Sequence, residues 1–156
     1  MAQADMFMKI DDVQGESTDS VHKNEIEVSA WSWGAAQAGS SHSGPGSGSG
    51  KVVVQDLSFT YAIDKSSATL FGMVMNGTTF KKAQLTCRKA GGNPVEYLKI
   101  IMSSGIVSNV QVSGTDTASV TVTLNFGQVE IDYTPQNADG SAGATVTTQY
   151  SIAGNK

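Results

Sequence analysis

The run from Ile26 to Thr60 constrains this chain most: IEVSAWSWG, then AAQAGSSHSGPGSGSG, then KVVVQDLSFT. Two β-strand patterns flank a glycine and serine tract. By period-two alternation Trp31 and Trp33 share one face of the first strand, and Ala30, Ser32, Gly34 and Ala36 share the other. The aromatic side calls for burial, while the opposite side has almost no bulk, as suits a smooth wall or the close approach of another backbone. The tract from Gly39 to Gly50 reaches roughly 40 Å when extended, far beyond the about 2–5 residues of a hairpin return. It also fails as a phosphate loop. Pro45 stands where a Walker-type loop needs glycine, and Val52 where serine or threonine should follow Lys51. Gly/Ser composition alone means flexible linker. A spacer between paired strands is out of place, however, and the tract reads as an arm that orders on a neighbouring copy. Ser41, His42, Gly44, Pro45, Gly46, Gly48, Gly50 and Lys51 are its candidate contact residues.

Parity changes along the first strand. Ile26 and Val28 are apolar at even positions and the tryptophans at odd ones, which calls for a bulge or bend near Ser29–Ala30. A second change comes in the strongest strand pattern, Val120–Tyr133. Val120, Val122, Leu124 and Phe126 share a face, but past Gly127–Gln128 the apolar set is Val129, Ile131 and Tyr133. A bulge or sharp bend at Gly127 is expected, as at a barrel corner. Other strands are expected at Met6–Ile10, Val52–Tyr61, Phe80–Ala90, Val95–Met102, Ile106–Ser113 and Thr145–Ile152. Ser103-Ser104-Gly105 divides the fourth and fifth of these runs. One helix is expected at about 65–76, started by Asp64 or Ser66 and stopped by Asn76–Gly77, with Leu70, Phe71, Val74 and Met75 as its apolar stripe. The segment Asp11–Asn24 reads as a loop in which His22 is solvated. The result is a single all-β domain over 1–156, a barrel or closed sandwich with one short helix and one long extended loop. Its expected core includes Trp31, Trp33, Leu85, Cys87, Leu124 and Phe126.

Composition excludes several functions. A net charge of −4 argues against nucleic acid, which needs a basic footprint. The charge is uneven: residues 1–30 hold seven acids against Lys9 and Lys23, and residues 81–99 hold five bases against Glu96. This reads either as two solvated faces or as complementary ends for head-to-tail association. The single cysteine, Cys87, rules out an internal disulfide, and its phase with Ala83 and Leu85 places it in the core. MAQADMFMKI has neither a basic region nor an apolar run of signal-peptide length, and no stretch approaches a membrane span. Cytoplasmic folding is therefore expected, and any export proceeds without a cleaved leader.

Nothing supports catalysis, a metal or a cofactor. The chain has no Gly-x-Ser-x-Gly elbow, no His-Glu-x-x-His and no Cys-x-x-Cys, and alternation explains Glu130 and Asp132 as outward polar residues.

The order of motifs is more specific than any one of them. AWSWG, the Gly/Ser/His tract, KVVVQDLSFT, the helix after AIDKS, CRKAGG before VEYL, and LNFGQVEIDYTPQ together resemble the Hcp family, the haemolysin-coregulated tube protein of bacterial type VI secretion. The resemblance spans nearly the whole chain. It implies a β-barrel that forms hexameric rings, rings that stack into a hollow tube, effector proteins carried in the lumen, a contractile sheath outside and a VgrG spike at the tip. It further implies assembly in the cytoplasm and release outside or into a target cell. On this chain Ala30, Ser32, Gly34 and Ala36 are the expected lumen wall, since small side chains leave the bore open. A phage tail-tube protein would share this physics. A secreted ligand-binding β-domain is the competing class, and it would expose Trp31 and Trp33 to its ligand.

Overall fold

The computed structural model describes residues 5–37, 52–89 and 94–156. The residues assigned above to the inter-subunit arm, Ser41, His42, Gly44, Pro45, Gly46, Gly48, Gly50 and Lys51, lie outside them, as do Gly91, Gly92 and Asn93. The described elements are β1 (Met6–Ile10), β2 (Ile26–Glu27), β3 (Ala30–Ser32), β4 (Ala35–Gln37), β5 (Val52–Val54), β6 (Leu57–Ala62), α1 (Ser66–Asn76), β7 (Thr79–Cys87), β8 (Leu98–Gly114), β9 (Ala118–Tyr133) and β10 (Val146–Ser151).

One antiparallel sheet runs β2-β1-β7-β8-β9-β6-β3, with β10 added to β9; β4 and β5 form a separate two-stranded sheet. The path closes on itself because its two ends are adjacent residues of one run. The Val28 amide donates to the Met6 carbonyl on β1, and the next amide, Ser29, donates to Thr60 on β6. Two sheets result, sharing the long strands. The first halves of β8 and last halves of β9 belong with β7, β1, β2 and β10. The last half of β8 and first half of β9 belong with β6 and β3.

This passage from one sheet to the other explains the parity changes. Val28 is buried, Ser29 and Ala30 are both exposed, and the tryptophans then turn inward. On β9 the buried set is Val120, Val122, Leu124 and Phe126, then Val129. β8 turns at the residues facing that point. Met102 is buried opposite Val129, and Gly105 opposite Phe126, with Ser104 in the left-handed region at φ 56° between them. Both strands flip together without losing register, so Gly127 marks a bend rather than a bulge. The register shift of this pair lies elsewhere, between Val107 and Asn109. The two strands expected at Val95–Met102 and Ile106–Ser113 are accordingly one strand, β8, because a bend with φ > 0 at Ser104 keeps the ladder intact.

Glycine at 105 is required by packing. A Cβ there would lie 2.2 Å from Cζ of Phe80 and 2.6 Å from the Asn125 carbonyl. Phe80 itself is buried.

The helix starts one residue later than expected. The Asp64 carboxylate accepts from the Ser66 amide at 2.8 Å and from the Ser66 hydroxyl. It stops at Gly77, φ 66°, whose amide bonds back to Met73. The buried face differs from the expected stripe: Ser66, Ser67, Leu70 and Met73 face the barrel, while Met75 is 74% exposed. Sequence reasoning passed over the serines because they are polar. They are buried because both hydroxyls bond the Tyr61 hydroxyl, at 3.1 and 3.0 Å.

The 11–25 loop covers Phe7, which points out of the barrel between the core residues Met6 and Met8. Phe7 is buried there with the His22 ring stacked on it, centroids 4.5 Å apart, and the Arg88 guanidinium 4.9 Å from its centre. His22 is thus buried, not solvated, held on Phe7 and between two carboxylates.

Candidate functional site

The second sheet (β3, β6, and the adjoining halves of β9 and β8) presents its outer face as aligned rows. One row reads Ala30, Thr60, Thr121, Gln111; the next reads Ser32, Ser58, Thr123, Asn109; a shorter one reads Ala62, Ser119, Ser113. No side chain on these rows carries a charge, and none is longer than glutamine. Alternation dictates this face. Leu57, Phe59 and Tyr61 on β6, and Val120, Val122 and Leu124 on β9, point into the core and leave the intervening hydroxyls outside. Neighbouring hydroxyls pair across strands, Ser58 with Thr123 at 3.0 Å and Thr60 with Thr121 at 3.1 Å. The carboxylate at the margin, Asp56, is occupied by Asn125 at 2.8 Å and Ser108 at 3.3 Å.

The first sheet differs. Its outer rows include Lys9, Gln84, Ile101, Glu130, Gln149 and, two residues along, Lys99 beside Asp132. Glu130 accepts from Gln149 at 2.7 Å. The outer rows of the first sheet therefore carry charge, whereas the three rows named on the second sheet carry none.

Of the residues assigned to the smooth wall, Ala30 and Ser32 lie on the neutral face. Gly34 and Ala36 do not share it: Ala36 pairs with Val53 in the separate two-stranded sheet, and Gly34 is half-buried against Gln55. The strand that alternation treats as continuous breaks at Trp33–Gly34, where the Trp33 indole donates to the Gln55 carbonyl at 2.8 Å. Six further members of the two main rows, Ser58, Thr60, Asn109, Gln111, Thr121 and Thr123, were not singled out from the sequence. Their signal was present in SFTY and VTVTL, where hydroxyls alternate with apolar residues, but only the register aligns them.

Leu85, Cys87, Leu124 and Phe126 are buried, whereas Trp31 and Trp33 are half-buried at the margin of the same core. Burial raises the Cys87 thiol above its ordinary pKa, against weaker opposing bonds to Trp31 and Tyr97, and so disfavours a thiolate. The expected division of charge between chain ends is partly consumed within the chain. Arg88 bonds Asp19, with Nη1 3.0 Å from Oδ2, and lies 3.7 Å from Asp5; Lys99 lies 3.6 Å from Glu96.

The neutral sheet has two lateral edges with no further strand among the described residues. β3 pairs only with β6, and β8 beyond Ile106 pairs only with β9. Such edges are templates for another strand. No described helix is long and apolar enough to cross a membrane.

Comparison with known proteins shows what the chain as a whole is similar to. A family model described as "Type VI secretion system effector, Hcp" matches residues 7–133. Protein hcp1 of Pseudomonas aeruginosa is 60% identical over 141 residues, covering 88% of this chain and 87% of that protein. A solved structure described as that of a type six secretion system protein superposes with a TM-score of 0.91 at 30% identity, covering 99% of both chains. Hcp1 from Salmonella typhimurium superposes with a TM-score of 0.79 at 36% identity, covering 97% of this chain and 96% of that one.

Proposed function

The chain belongs to the Hcp family of type VI secretion proteins, and from that premise we propose that it is a ring-forming subunit of the secretion tube whose neutral sheet faces the bore. The observation that carries this reading is the coincidence of three properties in one sheet: aligned rows, absence of charge, and two unpaired lateral edges. Joining the β3 edge of one copy to the β8 edge of the next is a heterologous contact, which closes into a ring when the rotation permits. Each copy then contributes the same uncharged wall, and the charged first sheet is left outside. A bore lined by short hydroxyls leaves room for folded effector proteins and does not select them by charge.

Stacked rings form the tube. By family resemblance a contractile sheath surrounds the tube and a VgrG spike caps it. The chain assembles in the cytoplasm before its release from the cell. Its role is structural. Substituting Thr60→Lys places a cation in the middle of the wall. Rings of the variant should form as in the wild type, while effector proteins that co-purify with wild-type rings should be lost. Unchanged co-purification would place the cargo elsewhere.

A further inference from the structure

Where β3 breaks at Trp33, the small β4–β5 sheet stands over the core side of β9 and β10, and the two enclose an apolar cleft of about 180 Å³. One wall is Ala35 with its cross-strand partner Val54. The facing wall is Ile131 paired with Thr148, with Tyr150 next on the same face. Trp33 closes one end, and the mouth lies between Ala35 and Thr148, both exposed. No charged side chain lines the cleft.

Both aromatic walls are held in place from behind. The Trp33 indole donates to the Gln55 carbonyl at 2.8 Å, and its ring packs on Phe126 with centroids 6.4 Å apart. The Tyr150 hydroxyl donates to Oδ1 of Asn155 at 2.6 Å. Neither ring swings inward without giving up its bond, so the cleft is formed before anything enters it, and entry costs little reordering. Its emptiness of bulk comes from Ala35, whose methyl leaves space that a longer side chain would take. An apolar cavity of roughly 150 Å³ accepts one benzene ring, so this one has room for a ring with a short substituent. We propose that the cleft is a binding site for a small neutral aromatic molecule, a single ring in size, with the Thr148 hydroxyl at the mouth to meet one polar substituent. Charge is excluded because an ion buried here would have no partner. The cleft is complete within one copy and does not depend on ring formation.

Trp31 supplies an internal control, because it packs on the core beside Cys87 and is no part of the lining. In the full chain labelled with fluorotryptophan, Trp31 and Trp33 give separate fluorine resonances, which Trp31→Phe or Trp33→Phe assigns. Titration with benzyl alcohol should move the Trp33 resonance saturably, half-complete at about 1 mM, and leave that of Trp31 in place. Benzoate, similar in shape but charged, should require at least about tenfold more. Ala35→Leu should weaken binding of the alcohol about tenfold by filling the space itself. A Trp33 shift that never saturates, equal movement of both tryptophans, benzoate binding as tightly as the alcohol, or unchanged binding in Ala35→Leu would each overturn the site. So would binding by the dilute single chain that disappears on assembly, because a neighbouring copy would then be the occupant. The wild-type resonances decide the matter even if Ala35→Leu does not fold.

Discussion

At the scale of single residues, stability depends on groups whose roles composition conceals. Gly105 is one: with Phe80 against it, even a methyl group forces buried atoms apart. Gly105→Ala should destabilise the chain by about 2–3 kcal/mol, seen as a lower urea midpoint at unchanged slope. A variant as stable as the wild type would mean that Phe80 relocates freely. Asp19 is another. The Arg88 guanidinium bonded to it, aided by the Val21 and His22 amides and opposed by burial, holds its carboxyl at about 2. Because the folded value lies below the ordinary 3.8, the stabilisation is complete above about pH 4 and is lost as pH falls toward about 2. Asp19→Asn should cost roughly 1–2 kcal/mol at neutral pH, after allowance for partial solvent screening, and flatten acid unfolding in that window. Acid titration of stability in both proteins reads this directly. Neither role was legible in the sequence. Gly105 reads as an interruption, and the acidic loop and basic strand look like opposed ends until the fold brings Asp19 to Arg88.

At the scale of elements, most strands were readable because alternation survives wherever a strand keeps one face buried. The parity changes at Ser29–Ala30 and Gly127 were visible for the same reason, and both prove to be places where the chain changes sheets. What alternation alone does not encode is continuity. Ser104 turns β8 without ending it, while Trp33–Gly34 ends β3 and sends Ala36 away from the wall. The helix face was misassigned for a related reason: burial of Ser66 and Ser67 depends on Tyr61, a partner on another element. In the proposed ring, the free half of β8 is the edge that meets the neighbouring copy. Val112, half-exposed there, faces the barrel side near the edge. Val112→Lys should leave the monomer folded, since edge lysine is a common device against strand addition, and should prevent rings. Circular dichroism together with sedimentation separates these two effects. Intact rings in the variant would remove β8 from the contact.

At the scale of the whole molecule, the closed sandwich carries charge on the outer rows of its first sheet and none on the three rows of its second. Alternation explains each strand's contribution to that division, but only assembly gives it a purpose. An uncharged wall of short hydroxyls is unremarkable on a monomer; in the proposed ring it repeats around the axis as the lining of the bore. The measurement that bears most directly on this is the mass of the purified chain at high concentration, with negative-stain images of the same sample. Annular particles of six copies are predicted. A single species of 16.2 kDa with no annular particles would contradict the account.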